Sequence, residues 1–413
     1  MQVEFSITID TDAFINYTGV KINYSDRSIP EQGIWLNSNP LLFEELVIPQ
    51  HIICFNQNNY KAFFKTPNAD YPFDIFAATF YLLSRYEEYL PHTKDNYGRY
   101  AHENSLAFKE GFLNLPLINI WVQDFANSLK NKFPSFSMQF SKFSFQPTYD
   151  IDMAYSYKHK GWIRNTGGFI KSPSFERIKV LLGLKQDPFD AYAWLDELHM
   201  QFNMKPIYFF LTAQKNSAYD KNILPHNDAM WRLVKQHVKK YNIGMHPSWQ
   251  SGDHTYLLKK EKEQLEAMAE GGQAAQCLQV TLTKSRQHYI RFSLPHTYRE
   301  LMAAGITDDY SMGYGSINGF RASVAASFFW YDLENEEQTS LRIHPFCFME
   351  ANAYYEQKLS AQQAYAEMMH YYAQCKNAGG TLITIWHNNF LGHVNKLEDW
   401  KEIYKQFIAQ ARQ

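Results

Sequence analysis

The chain has 413 residues, 45% of them hydrophobic and 20% charged, the balance of a folded soluble protein long enough for two domains. Its net charge of −2 and scattered Lys/Arg residues give no basis for binding nucleic acid or an anionic membrane surface. Four well-separated cysteines (Cys54, Cys277, Cys347, Cys375) form no CxxC pair, which excludes a zinc ribbon and a disulfide framework and predicts buried free thiols. The first residues lack the basic start and apolar core of a leader, and no run of about 18 apolar residues is present. A cytoplasmic protein without a membrane span is expected. Aromatic residues reach 16%, which reads first as core material.

Residues 1–140 are expected to form an α+β domain to which no chemistry is assigned. Short β-like runs at 3–9, 45–48 and 52–55 alternate with Asn, Pro and Gly clusters. Helical spacing predicts a helix over 73–90, stopped by Pro91, and a second after Pro116 with Ile120, Trp121, Phe125 and Leu129 on one face. The polar stretch 95–99 reads as a plain turn.

Residues 141–413 alternate strand and helix. Strands are predicted at 143–150, 207–212, 243–246, 289–293, 305–310, 341–348 and 381–386. Amphipathic helices fall between them: one from about 187 to 202, one through Trp231 and Val238, and others at 256–268, 297–304, 361–377 and 397–408. Seven strands alternating with helices predict a parallel α/β sheet, and closure would give a (β/α) barrel with its site at the C-terminal strand ends.

Three of these strands end in chemistry. In Thr148-Tyr149-Asp150-Ile151-Asp152 the alternation of a strand puts both carboxylates on one face. Two adjacent buried acids repel unless a cation or a shared proton compensates them. The apolar run Ile243-Gly244-Met245 ends on His246, and Leu382 to Trp386 ends on His387. A lone histidine at a strand end is more often a hydrogen-bonded structural group than a ligand. Parallel strands, however, bring their C-terminal ends together, so two acids and two imidazoles would converge. Arg291, near a strand end before Pro295, and Arg321, in a Gly-rich stretch, are candidates to hold a carboxylate ionised. If the strand is regular, Arg286 and His288 face away from Arg291, and a bulge is needed to bring them to one site. No HExxH, phosphate loop or GxSxG elbow is present.

The order of these elements resembles the polysaccharide deacetylase superfamily, the carbohydrate esterase family 4 or NodB-homology enzymes, over about residues 143–413. Thr148 to Asp152 is similar to its opening T-[FY]-D-x-D motif, His246 to its second motif, Arg291 through Pro295 to its Arg-x-Pro motif, and His387 to its last. The resemblance implies a distorted seven-stranded (β/α) barrel of that type with an N-terminal α+β domain. It implies a divalent metal, zinc, held by Asp152 and His246, with Asp150 as general base. Arg291 would tether Asp150, and His387 would protonate the leaving amine of an N-acetylated carbohydrate. The residues themselves leave open which carboxylate is base and which is ligand. The sequence departs from the family at Gln250, where the second metal histidine is usual: His254 or His288 could move in, a water could fill the place, or the metal could be lost. A catalytically inactive barrel that binds carbohydrate or serves assembly is the alternative. A third reading is a glycoside hydrolase using Asp150 with Asp309.

Overall fold

A computed structural model describes residues 4–29, 33–271 and 280–411. Cys277 lies outside them, while Cys54 is half-buried and Cys347 and Cys375 are buried, all three as free thiols.

The early residues depart from expectation. Positions 4–9 form no strand, and Phe5, Ile7 and Ile9 are exposed. Alternation makes a strand only where an edge is there to pair with it. The short pairings lie elsewhere: β1 (Ile22–Ser25) runs parallel to β2 (Ile34–Asn37), and β3 (Phe55–Gln57) makes a hairpin with β4 (Tyr60–Ala62). The helix predicted over 73–90 spans Ile75–Leu83, started by the Asp74 side chain, which accepts from the amides of Phe76 and Ala77. Arg85, at φ 56°, breaks it well before Pro91. The helix after Pro116 is Leu117–Lys132, which buries Leu117, Trp121, Phe125 and Leu129.

From residue 144 the chain builds one mostly parallel sheet with helices packed on it, a mixed α/β architecture. Its strands are β5 (Ser144–Ile151), β6 (Ile207–Leu211), β7 (Asn242–His246), β8 (Lys284–Ser285), β9 (Asp308–Asp309), β10 (Phe328–Asp332), β11 (Glu337–Ile343), β12 (Phe348–Met349) and β13 (Thr381–His387). They lie in the order β10-β11-β9-β8-β7-β6-β5-β13-β12, with only β10 and β11 antiparallel. The expected seven strands closing on one another are thus replaced, among the described residues, by nine whose outermost members do not pair. Two local causes account for the difference. The strand expected over 341–348 is split around Pro345, which has no amide to donate to a ladder. The strand expected at 289–293 does not form, because Tyr289 and Ile290 both adopt positive φ, 59° and 55°.

Strand β6 is buried at every position and β5 along its C-terminal half, the continuous apolar reading of a sheet covered on both faces. The covering helices include Tyr192–Gln201, Asp228–Val238, Thr255–Glu270, Ala361–Asn377 and Glu398–Ala411, each burying an apolar stripe. Residues 1–140 pack against this body through a wholly buried ion network. Arg321 donates through Nε and Nη2 to the two Glu88 oxygens (2.8 and 2.6 Å), and Arg85 donates to Glu88 and Glu87 (2.8 Å each). Arg321, assigned to the site or to a structural pair from sequence, belongs to this network.

Candidate active site

Register sets the core of the site. His387 of β13 lies opposite Asp150 of β5, and His246 closes β7, two strands away on the other side. All the side chains that the sequence placed at these strand ends meet in one cavity of about 420 Å³, except Arg291. His246 Nε2 is 3.1 Å from Asp152 Oδ1 and 3.8 Å from Asp150 Oδ2, and His387 Nε2 is 3.4 Å from Asp152 Oδ2.

The arginine expectation is corrected. Arg286, not Arg291, reaches Asp150: its Nη1 donates to Asp150 Oδ1 at 2.8 Å and to Thr148 Oγ1 at 2.7 Å, while its Nε donates to the Tyr310 carbonyl. The guanidinium lies 4.4 Å over the Phe209 ring. Gly244 makes room for that ring, since a Cβ there would collide with it. Arg291 lies over Trp249, 4.5 Å from its ring, and donates to the Trp249 carbonyl. The cause is the backbone. Strand β8 ends at Ser285, and the left-handed residues Tyr289 and Ile290 turn the chain. Arg286 and His288 are thereby aimed inward, and Arg291 is carried out of the pocket.

His288, one of the two histidines expected to stand in for Gln250, lies in this cluster. Its Nε2 is 3.4 Å from Asp152 Oδ2, and Asp152, His246 and His288 offer ligand atoms within 4.8 Å of one another. Gln250 instead donates to Asp220 Oδ2 (3.3 Å), and Asp220 Oδ1 receives His288 Nδ1 at 3.0 Å. The glutamine thus braces the carboxylate that orients the substitute histidine.

The tautomers follow from these partners. His246 Nδ1 faces the Arg286 carbonyl, which can only accept, so that nitrogen carries the proton. His288 Nδ1 likewise donates to Asp220. In the neutral rings the His246 Nε2 lone pair then faces Asp152 Oδ1, which is buried without a hydrogen-bond partner, and the His288 Nε2 lone pair faces Oδ2. Lone pairs facing a carboxylate repel, and either a bound cation or a proton on an imidazole relieves that repulsion. Two imidazoles and a carboxylate therefore fit a divalent transition ion. When no ion is bound, burial works against charge on His288, yet Asp152 and Asp220 overcome it and push its pKa up to about 9. Burial raises the Asp152 carboxyl, but His288 and His387 prevail and hold it well below the usual carboxylate range.

His387 is held differently. Glu350 Oε1 accepts both its backbone amide (2.8 Å) and its Nδ1 (2.6 Å). Burial lowers the ring's pKa, but Glu350 and Asp152 outweigh it and raise it well above the imidazole range. Glu350 was not foreseen, though its signal is of the familiar kind: the apolar strand β12 ends directly on it. Asp220 sits in a loop and carries no such signal. His254 does not belong to the ligand group. Asp309 is also excluded from the site, being fully buried and accepting from Ser285 Oγ (2.7 Å) and Ser311.

One wall of the cavity comes from residues 95–99. The turn is closed by Asp95 Oδ1, which accepts the amides of Tyr97 and Arg99, and Arg99 Nη1 donates to the Tyr289 carbonyl at 2.6 Å. Gly315 lets Arg99 in, since any Cβ there would overlap the guanidinium. Tyr97 stacks on Tyr289 (5.4 Å), and both line the cavity with Tyr355 and Phe390.

Residues 1–134 match a family of unknown function, DUF7033. No curated protein sequence matches the chain. Among solved structures it is similar to one provisionally described as a polysaccharide deacetylase from Mycobacterium smegmatis. The two are 12% identical with a TM-score of 0.43, over 67% of this chain and 86% of that one. A likeness at that level fixes no chemistry.

Proposed function

We propose that the protein is a metal-dependent hydrolase that removes an N-acetyl group from a carbohydrate, with residues 141–413 as the catalytic domain and residues 1–140 as a second domain walling its pocket. The observation that carries this reading is the gathering of His246, His288 and Asp152, whose ligand atoms lie within 4.8 Å of one another, around an Asp152 Oδ1 that is buried without a hydrogen-bond partner. Asp152, His246 and His288 would hold the ion, which when bound polarises the amide carbonyl.

The rest falls to the chain's own groups. Asp150, paired with Arg286, accepts a proton from the attacking water. His387, kept protonated by Glu350, gives its Nε2 proton to the departing nitrogen as the C–N bond breaks. Water thus supplies the new C–O bond, and the products are a free amine and acetate. The Tyr97, Tyr289, Tyr355 and Phe390 rings offer the flat apolar faces on which pyranose C–H groups pack. The inactive alternative drew its strength from Gln250, and His288 takes that strength away.

The test is zinc calorimetry on the full chain, together with acetate release from N-acetylated chito-oligosaccharides. Stoichiometric uptake is expected, lost in His246→Ala and His288→Ala and kept in Gln250→Ala, along with acetate release. A chain that takes up no divalent ion, or whose uptake survives His288→Ala, removes the metal centre. Uptake without acetate release from any N-acetylated sugar removes the deacetylase reading.

A further inference from the structure

Between β5 and the helix Tyr192–Gln201 the chain makes an excursion clamped at its base. Asp187 Oδ1 accepts the Ser156 amide (2.7 Å), and its Oδ2 accepts those of Tyr157 (2.8 Å) and Lys158 (2.9 Å). Two helices lie within it, Gly161–Lys171 and Phe175–Leu181. The first buries none of its residues, and the second buries only Val180.

What these helices leave in water is apolar. Trp162 is 78% exposed, Ile163 69% and Ile170 76%, and their spacing of seven and eight residues puts them on one helix face. Phe175 (84%), at the start of the second helix, and Leu182 (69%), just after its end, are exposed as well. Isolated exposed hydrophobes need no explanation, but a contiguous set on one element marks an interaction surface. The geometry is fixed rather than loose, because Arg164 donates to the Asn222 carbonyl (3.1 Å) and Arg177 to that of Asn165 (3.0 Å).

The charge around the patch identifies what covers it. Residues 158–185 hold seven Lys/Arg and a single acid, Glu176, in a chain whose total is −2, a local cluster that the whole-chain charge conceals and that reverses the expectation of no anionic membrane surface. A second copy docked face to face would set these cations against their own equivalents. An anionic bilayer satisfies both features at once, with apolar side chains in the acyl boundary and lysines among the headgroups. Tryptophan at one edge suits that interface. No helix among the described residues is long and apolar enough to cross a membrane, so the contact is with the surface.

We propose that the excursion at 156–187 docks the protein flat on an anionic phospholipid bilayer through Trp162, Ile163, Ile170, Phe175 and Leu182. Lys160 of the excursion reaches Met153, which lines the cavity.

The test is co-sedimentation of the full chain with phosphatidylglycerol vesicles and with phosphatidylcholine vesicles. Binding to the first is expected, weakening with salt and falling at least about ten-fold in Ile163→Asp/Ile170→Asp. Both side chains are exposed, so circular dichroism of the variant should match the parent. Lys171→Glu/Lys179→Glu should lower binding to phosphatidylglycerol vesicles as well. Absence of binding to phosphatidylglycerol vesicles, or binding indifferent to the aspartates, overturns the proposal. So does a dimer in sedimentation velocity that the aspartates dissolve, which would assign the patch to a second copy. An acidic protein partner that binds the patch while vesicles do not would overturn it equally.

Discussion

In the sheet, the side chains of the site are placed by register: His387 faces Asp150 across one ladder, and neighbouring ladders carry His246 to the same end. In residues 1–140 nothing comparable happens. Tyr97 and Arg99 reach the same cavity from a turn held by Asp95, and Arg99 is tied there by its bond to the Tyr289 carbonyl. A ladder repeats the same constraint at every residue, so single changes remove a group without moving its neighbours. A turn depends on a few contacts, and a single change can move the whole wall. The two regions should therefore answer mutation differently: the sheet by losing chemistry, the early region by losing position or stability.

The largest effect is expected on the sheet side. Asp150→Asn keeps the shape and the ladder but cannot take a proton, and should lower kcat by about 10²- to 10⁴-fold with unchanged metal uptake. An unchanged kcat would mean that Asp150 is structural. A companion pair sharpens the point. Arg286→Lys breaks the planar contact with Asp150 and Thr148, and should cost most of that activity. Arg291→Lys, changed on the Trp249 face, should leave kcat within about three-fold, because rim contacts of this sort contribute little. Equal losses from the two lysines would contradict the assignment of the tether.

The early region should show its effect in stability. Glu88→Ala leaves the Arg85 and Arg321 guanidinium groups buried without their shared partner, a change expected to cost about 3–5 kcal/mol in urea unfolding. The network also gives a pH signature. Burial alone would raise the Glu88 carboxyl, but Arg321 and Arg85 outweigh it and bring its pKa down to about 2 from the ordinary 4.5. A depressed folded-state pKa contributes stability that is complete above 4.5 and lost as the pH falls toward 2. Denaturation midpoints measured across that window should fall steeply in the parent and less steeply in Glu88→Gln. Identical slopes would show that the network does not depend on the Glu88 charge.

The same contrast explains what could be read from sequence. Strand β13 and its terminal His387 are legible because Leu382 to Trp386 is an apolar run interrupted only by Thr384, and such runs announce buried parallel strands. His246 is legible for the same reason, and Asp150 and Asp152 because strand alternation puts both on one face. Arg286 and His288 lie just before the strand expected over 289–293, and the positive φ at Tyr289 and Ile290 that bends the chain there leaves no mark in residue type. The aromatic strand β10, Phe328–Asp332, could have been found from its β-favouring composition. The turn at 95–99 was recognised as a turn, yet nothing local said that Tyr97 would face a cavity built 190 residues later, where Arg99 meets Tyr289.

That turn also provides the smallest predicted effect and the most direct probe of the early region's role. Tyr97 has no place in the proton transfers, and its contribution is a flat wall stacked on Tyr289. Tyr97→Ala should therefore raise KM for an N-acetylated oligosaccharide by roughly ten-fold while kcat changes little, the pattern of a contact made equally with substrate and transition state. Tyr97→Phe keeps the ring and should restore KM. If kcat falls with KM unchanged, the turn is positioning His288 through Tyr289 instead of touching the sugar. If neither constant moves, residues 1–140 contribute stability alone, and the difference between the two regions is complete.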